Sequence, residues 1–191
     1  MNKLEFFKKE LEYIKNSDIK ESAMFMINIL PDYFFEVPAS STGKYHPKFA
    51  ASENGLVKHT KVAVRIAYEL LSNPSLHRFN DREKDLIIMA LLLHDGLKSG
   101  LIKDKYTKVD HPLLIVNYIR ENISNLFLKE EEVDILCSAI SSHMGPWNKD
   151  YNDNEILPVP KTAIERFVHM CDYLSSKKFL DVEFDNIDIM Y

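Results

Sequence analysis

Apolar residues recur along most of this chain at spacings of three and four, the period of a helix that buries one face. The clearest stretch is "GLVKHTKVAVRIAYELL", with apolar positions at Val57, Val62, Val64, Ile66, Ala67, Leu70 and Leu71. The same period predicts helices over 3–15, 19–30, 56–72, 82–94, 112–123, 130–142 and 161–176. Only five glycines interrupt the pattern. The fold class expected is therefore all-α, a single compact helical bundle.

Punctuation supports these elements. Asp81 is placed to cap the helix after it, and Pro112 sits where a first helical turn tolerates proline. Thr162 and Glu165 fit a capping box, approached through the extended-favouring Pro158 and Pro160. Two long stretches, 37–55 and 145–160, carry no helical period, and such loops inside a compact domain are often functional. One globular unit is expected: N-terminal helices and a substrate loop in 1–54, a core in 55–178, and a tail in 179–191. The tail suits either an extended strand or docking on a neighbour.

With 191 residues, 46% apolar and 28% charged, the chain can bury one core and is short for two. Its two cysteines, Cys137 and Cys171, lie far apart, which points to small core residues and a reducing, cytoplasmic setting. No export signal or membrane-length apolar run is visible, so no membrane partner is expected. The net charge of −5 disfavours a broad nucleic-acid face. Yet residues 44–65 (Lys44, Lys48, Lys58, Lys61, Arg65, Glu53) balance at +4, and residues 96–109 (Lys98, Lys103, Lys105, Lys108, Asp104) at +3. These segments predict a positive mouth for an anion.

The candidate chemistry starts at "ALLLHDGLKSG", where an apolar run delivers His94 and Asp95 to one place. Neighbours in mid-helix project about 100° apart, but at a helix end both can turn toward one ion. His59, His111, His143 and Asp172 each fall on or beside another predicted helix, which is how bundles build metal sites in their cores. Imidazole and carboxylate without sulfur suit Fe, Mn, Co, Ni, Zn or Mg. His77, in "NPSLHRFN", is read as an ordinary structural histidine.

His59, the His94-Asp95 doublet and Asp172 together resemble the signature of the HD-domain superfamily of helical metal-dependent phosphohydrolases. His111 in "VDHP" and His143 in "SSHMG" resemble the further ligands of its two-metal branch, which includes the HD-GYP cyclic-dinucleotide phosphodiesterases, although the GYP motif is absent here. "KYHP" before "NGLVKHT", "LHDGLK", and His169 three residues before Asp172 are similar to the HD-domain 3′ to 5′ exoribonucleases. Those enzymes commonly add an OB module, for which this chain has no room, so long nucleic acid is not an expected substrate.

The resemblance covers about residues 55–176. It implies that His59, His94, Asp95 and Asp172 hold one of two divalent ions, and that Asp95 bridges to a second completed by His111 and His143. Metal-bound hydroxide would then hydrolyse a phosphate ester of a nucleotide, cyclic dinucleotide or short oligonucleotide.

Further residues are expected to serve the substrate. Lys98 follows Asp95 closely enough for its ammonium to reach a phosphate oxygen, joining Asp95 as a catalytic residue. Lys44, Tyr45 and His46, with Ser41 and Thr42, make a set suited to phosphate or ribose, and the resemblance singles out His46. Trp147 either stacks on a base or anchors its loop. His169 either orients Asp172 or a phosphate, or simply packs. Two readings from other classes remain beside the hydrolase, an HD-domain mixed-valent di-iron oxygenase and a non-catalytic nucleotide-binding regulatory module. The oligomeric state is left open, a homodimer among the options.

Overall fold

A computed structural model describes residues 2–40, 46–180 and 182–190 of the chain. A 3-10 turn, Lys3–Phe7, leads into a short helix α1 (Lys8–Leu11), followed by α2 (Ser17–Ile29), α3 (Gly55–Leu71), α4 (Asp81–Leu93), α5 (His111–Glu121), α6 (Glu130–Ser141) and α7 (Ala163–Ser175). The fold is all-α apart from a two-stranded hairpin near the C-terminus, β1 (Phe184–Asp185) with β2 (Asp188–Ile189).

The centre of the bundle is α4. Every residue from Leu86 to Leu93 is buried, so beyond its first turn this helix shows no polar face. It packs against α2, α3, α6 and α7, while α5 covers α6. A helix apolar all round must be surrounded, and its C-terminal end therefore opens inside the molecule. His94 and Asp95 emerge at that end.

Two boundaries differ from the sequence expectation, each for a local reason. The first helix ends well before residue 15, because the amides of Lys15 and Asn16 donate to the Asp85 carboxylate at 2.7–3.1 Å and Asn16 caps α2. At α4 the cap is Asn80 and not Asp81: its side chain accepts from the amide of Glu83, and the Glu83 carboxylate accepts from the amide of Asn80 at 2.7 Å. Asp81 is already the first helical residue. The Thr162–Glu165 capping box forms as the sequence predicts.

The tail resolves into the hairpin, turned at Asn186 with φ of 55°. It docks on α3 of its own chain. Phe184 lies against Phe49 and beneath Lys58, and Asp188 reaches the Lys61 ammonium at 3.2 Å. Cys137 and Cys171 are buried, and burial pushes both thiols up, Cys137 to about 11. No helix among the described residues is long and apolar enough to cross a membrane.

Candidate metal centre and substrate cavity

Six side chains from five separate places in the sequence meet at the inner end of α4. His59 comes from α3, His94 and Asp95 follow α4, His111 opens α5, His143 follows α6, and Asp172 lies on α7. Five of the six are at most 2% exposed. They form three overlapping groups: His59, His94 and Asp95; His94, His143 and Asp172; and Asp95, His111 and His143.

The two oxygens of Asp95 face in different directions. Oδ2 lies 3.6 Å from Nε2 of His59 and 3.5 Å from Nε2 of His94. Oδ1 lies 3.0 Å from Nε2 of His111 and 3.8 Å from Nε2 of His143. Asp172 closes the first side, with Oδ1 at 3.0 Å from His59 and 3.3 Å from His94.

Each imidazole is aimed by a hydrogen bond on its outer nitrogen. Nδ1–H donates to the carbonyl of Leu91 from His94, of Lys108 from His111, and of Ile140 from His143, each at 2.7 Å. Nδ1 of His59 lies 3.0 Å from the Ser175 hydroxyl, which itself donates to the Asp172 carbonyl and so receives the imidazole proton. With Nδ1 the donor, the neutral ring turns an Nε2 lone pair inward, the tautomer a metal ligand needs.

Those inward nitrogens approach within 3.4 Å for His59 and His94 and 3.3 Å for His111 and His143. Lone pairs that close repel unless something positive lies among them. Protons alone fill this role poorly. Burial, with the neighbouring imidazoles, holds His143 down at about 3, and burial lowers His59 against the pull of Asp172. His94 is raised, because Asp95 and Asp172 overcome its burial. Against their own burial, Lys98, His94 and His111 hold the Asp95 carboxyl well below the usual range, and His59 and His94 do the same for Asp172. Four imidazoles with Nε2 turned inward around two carboxylates fit divalent cations.

The cluster forms one wall of a cavity of about 570 Å³. Lys98, from the loop after α4, donates to Oδ2 of Asp95 at 2.5 Å and lines this space. The loop is braced by Tyr33, whose hydroxyl donates to the carbonyl of Gly100 at 2.7 Å and receives the amide of Ser99; Gly100 turns the chain with φ of 89°. Burial pushes the Tyr33 phenol up to about 12, so it remains a donor.

His46 also lines the cavity, its ring set edge-on against His59 with centroids 4.8 Å apart. Burial holds its imidazole neutral, at about 3, and its Nδ1 is a buried atom with no hydrogen-bond partner. Lys44 and Tyr45, with Ser41 and Thr42, lie outside the described residues. His169 lines the cavity and donates from Nδ1 to the carbonyl of His143 at 2.6 Å, so it steadies the His143 turn and not Asp172. It presses on Gly145, whose φ is 60° and whose missing Cβ would stand 2.3 Å from the ring.

Among the described residues, most of the cations counted toward a positive mouth lie away from the cavity. Of the described ones Lys98 alone lines it. Lys61 is buried, 1% exposed, between Glu10 at 2.8 Å and the carbonyl of Phe6, while Arg65 pairs with Glu69 and Lys108 with Asp104. Lys177, just beyond α7, supplies a cation at the rim instead. Trp147 is 54% exposed on that rim, so it is not a buried loop anchor. A separate cleft near the start of α7 holds His77, whose ring nitrogens meet the carbonyl of Leu71 and the amide of Phe79, as befits a structural histidine.

Neither Lys177 nor Ser175 was singled out by the sequence. A signal for Ser175 existed in its place three residues after Asp172, one turn along the same helix.

The comparisons agree with this geometry. The family model described as "HD domain" matches residues 56–177. No curated protein and no solved structure gives a significant match to the chain.

Proposed function

This chain belongs to the HD-domain family, whose members are generally metal-dependent hydrolases, and we propose that it hydrolyses a phosphate ester of a nucleotide, cyclic dinucleotide or short oligonucleotide at a binuclear centre. The observation that carries the binuclear reading is the division of the Asp95 carboxylate, with Oδ2 toward His59 and His94 and Oδ1 toward His111 and His143. His59, His94, Asp95 and Asp172 would hold one ion, and Asp95, His111 and His143 the other. Divalent ions bound there would make a water acidic enough to attack phosphorus and would offset charge on the phosphate oxygens.

The chain's own groups account for the remaining needs of such a reaction. Hydrolysis forms one bond from water oxygen to phosphorus, breaks the ester bond, and returns a proton to the departing alcohol. Lys98 has its ammonium beside Asp95 and facing the cavity, where it can bind a non-bridging oxygen of the ester. His46, neutral and with Nδ1 unbonded, can hydrogen-bond the substrate on the His59 side. Deep burial keeps bulk water from screening these interactions.

The test is elemental analysis of the purified chain beside His111→Ala and Asp95→Ala, with turnover of phosphate mono- and diesters. The reading expects about two ions per chain, about one in His111→Ala and almost none in Asp95→Ala. Two ions with oxygen uptake by reduced iron and no ester cleavage would move the assignment to the oxygenase class. An unchanged ion count in both variants would remove the binuclear centre.

A further inference from the structure

On the cavity rim, beside the His169 ring at 6.4 Å from Trp147 and 6.0 Å from Tyr173 between centroids, three side chains form a surface that the metal chemistry does not use. The rings of Trp147 and Tyr173 are stacked, 16° from parallel with centroids 5.6 Å apart. The Lys177 ammonium sits 3.4 Å from the centroid of Tyr173 and 5.8 Å from that of Trp147. Trp147 and Tyr173 are 54% and 38% exposed, and both line the same cavity as Asp95 and Lys98.

The sequence explains how the shelf meets the metal centre. Asp172 and Tyr173 are consecutive on α7, so they diverge by about 100°, one into the cluster and the other toward the rim. The turn after α6 carries His143 into the cluster and Trp147 onto the rim four residues later. Gly145 between them permits the close approach of His169 that fixes the turn. The same two segments that supply ligands therefore also hold the shelf at a set distance from them.

Exposed aromatic faces beside a cation are a stacking platform for a planar ring tethered to an anion. We infer that Trp147, Tyr173 and Lys177 form the subsite for the nucleobase of the substrate, which makes the ester cleaved beside Asp95 a nucleoside phosphate. This rests on the hydrolase reading for the ester and on independent geometry for the base. Stacking a base on an aromatic face outweighs an exposed cation–π contact, so the base takes the ring and Lys177 is released toward phosphate or ribose oxygens. Stacking tolerates any base, so the subsite selects nucleosides as a class.

Trp147 is the only tryptophan of the chain, so its fluorescence reports the shelf without any need for turnover. The full chain would be titrated with adenosine 5′-monophosphate, ribose 5-phosphate and inorganic phosphate. The expected result is saturable quenching by the nucleotide, at least about tenfold weaker apparent binding of ribose 5-phosphate, and a similar loss of nucleotide affinity in Tyr173→Ala that Tyr173→Phe restores. Equal binding of nucleotide and ribose 5-phosphate, or Tyr173→Ala binding the nucleotide as well as the parent does, overturns the inference. The two proposals separate cleanly. Nucleotide quenching without hydrolysis of any phosphate ester removes the hydrolase and keeps the shelf, while ester turnover with indifferent binding of the base removes the shelf alone.

Discussion

The hydroxyl of Ser175 joins His59 to the backbone of α7: it receives the Nδ1 proton of His59 at 3.0 Å and donates its own to the carbonyl of Asp172 at 2.7 Å. One small side chain thus sets the tautomer of a histidine four helices earlier. It also couples that histidine to the helix that bears Asp172. Ser175→Ala leaves Nδ1 of His59 buried and unpartnered, free to exchange its tautomer. Metal affinity should fall about tenfold to a hundredfold, read by competition with a chelating dye. An affinity equal to the parent's would show that the hydroxyl is packing only.

Lys98→Ala separates binding of metal from handling of substrate. Phosphate-ester turnover should fall about a hundredfold, because a fixed cation aimed at phosphate oxygens is lost, while ions per chain stay the same. A parallel loss of metal would mean that Lys98 acts by holding Asp95.

Gly145→Ala places a methyl where the His169 ring stands and imposes L-residue strain at φ of 60°. A destabilisation of about 1–3 kcal/mol is expected in urea unfolding. Because His169 bonds the carbonyl of His143, ion content on the His111 and His143 side should drop as well. Full stability with full metal content would contradict the packing described.

Acid should weaken the fold partly through Glu132. The Arg82 guanidinium bonds its carboxylate at 2.5 and 3.0 Å and lowers its pKa from the ordinary 4.5, despite some desolvation. A carboxyl lowered by folding contributes stability above its unfolded value, and that contribution is lost as the pH falls through the folded value. Glu132→Gln should therefore cost about 1 kcal/mol at pH 7 and less in acid well below the ordinary 4.5, measured by unfolding at both. The same cost at both values would assign the effect to packing.

Asn80→Ala should destabilise the chain by about 1 kcal/mol, through loss of the cap on α4, and Asp81→Ala by only a few tenths. The reverse order in thermal unfolding would restore the cap to Asp81.

The helices were legible because their apolar periods persist over three or more turns, and the six inward groups because they fall in the order of a known signature. What stayed illegible depends on the register between segments distant in the chain. Asn80 and Asp81 are equally good caps by residue type, and only the backbone decides between them. The charge surplus around α3 looked like a basic mouth, since a count of lysines does not show that Lys61 turns inward to Glu10. Tyr173 and Lys177 carry no local signal, and acquire a role only when α7 is set beside the turn holding Trp147.

Lys61 closes the molecule in a further sense. Its ammonium gathers the carbonyl of Phe6 and the carboxylates of Glu10 and Asp188, groups far apart in the sequence. It is two residues from His59 on the same helix. The clasp acts as a non-covalent cross-link between segments distant in sequence. Loosening either segment strands a buried cation on the helix that carries His59, which ties both segments to the interior of the site.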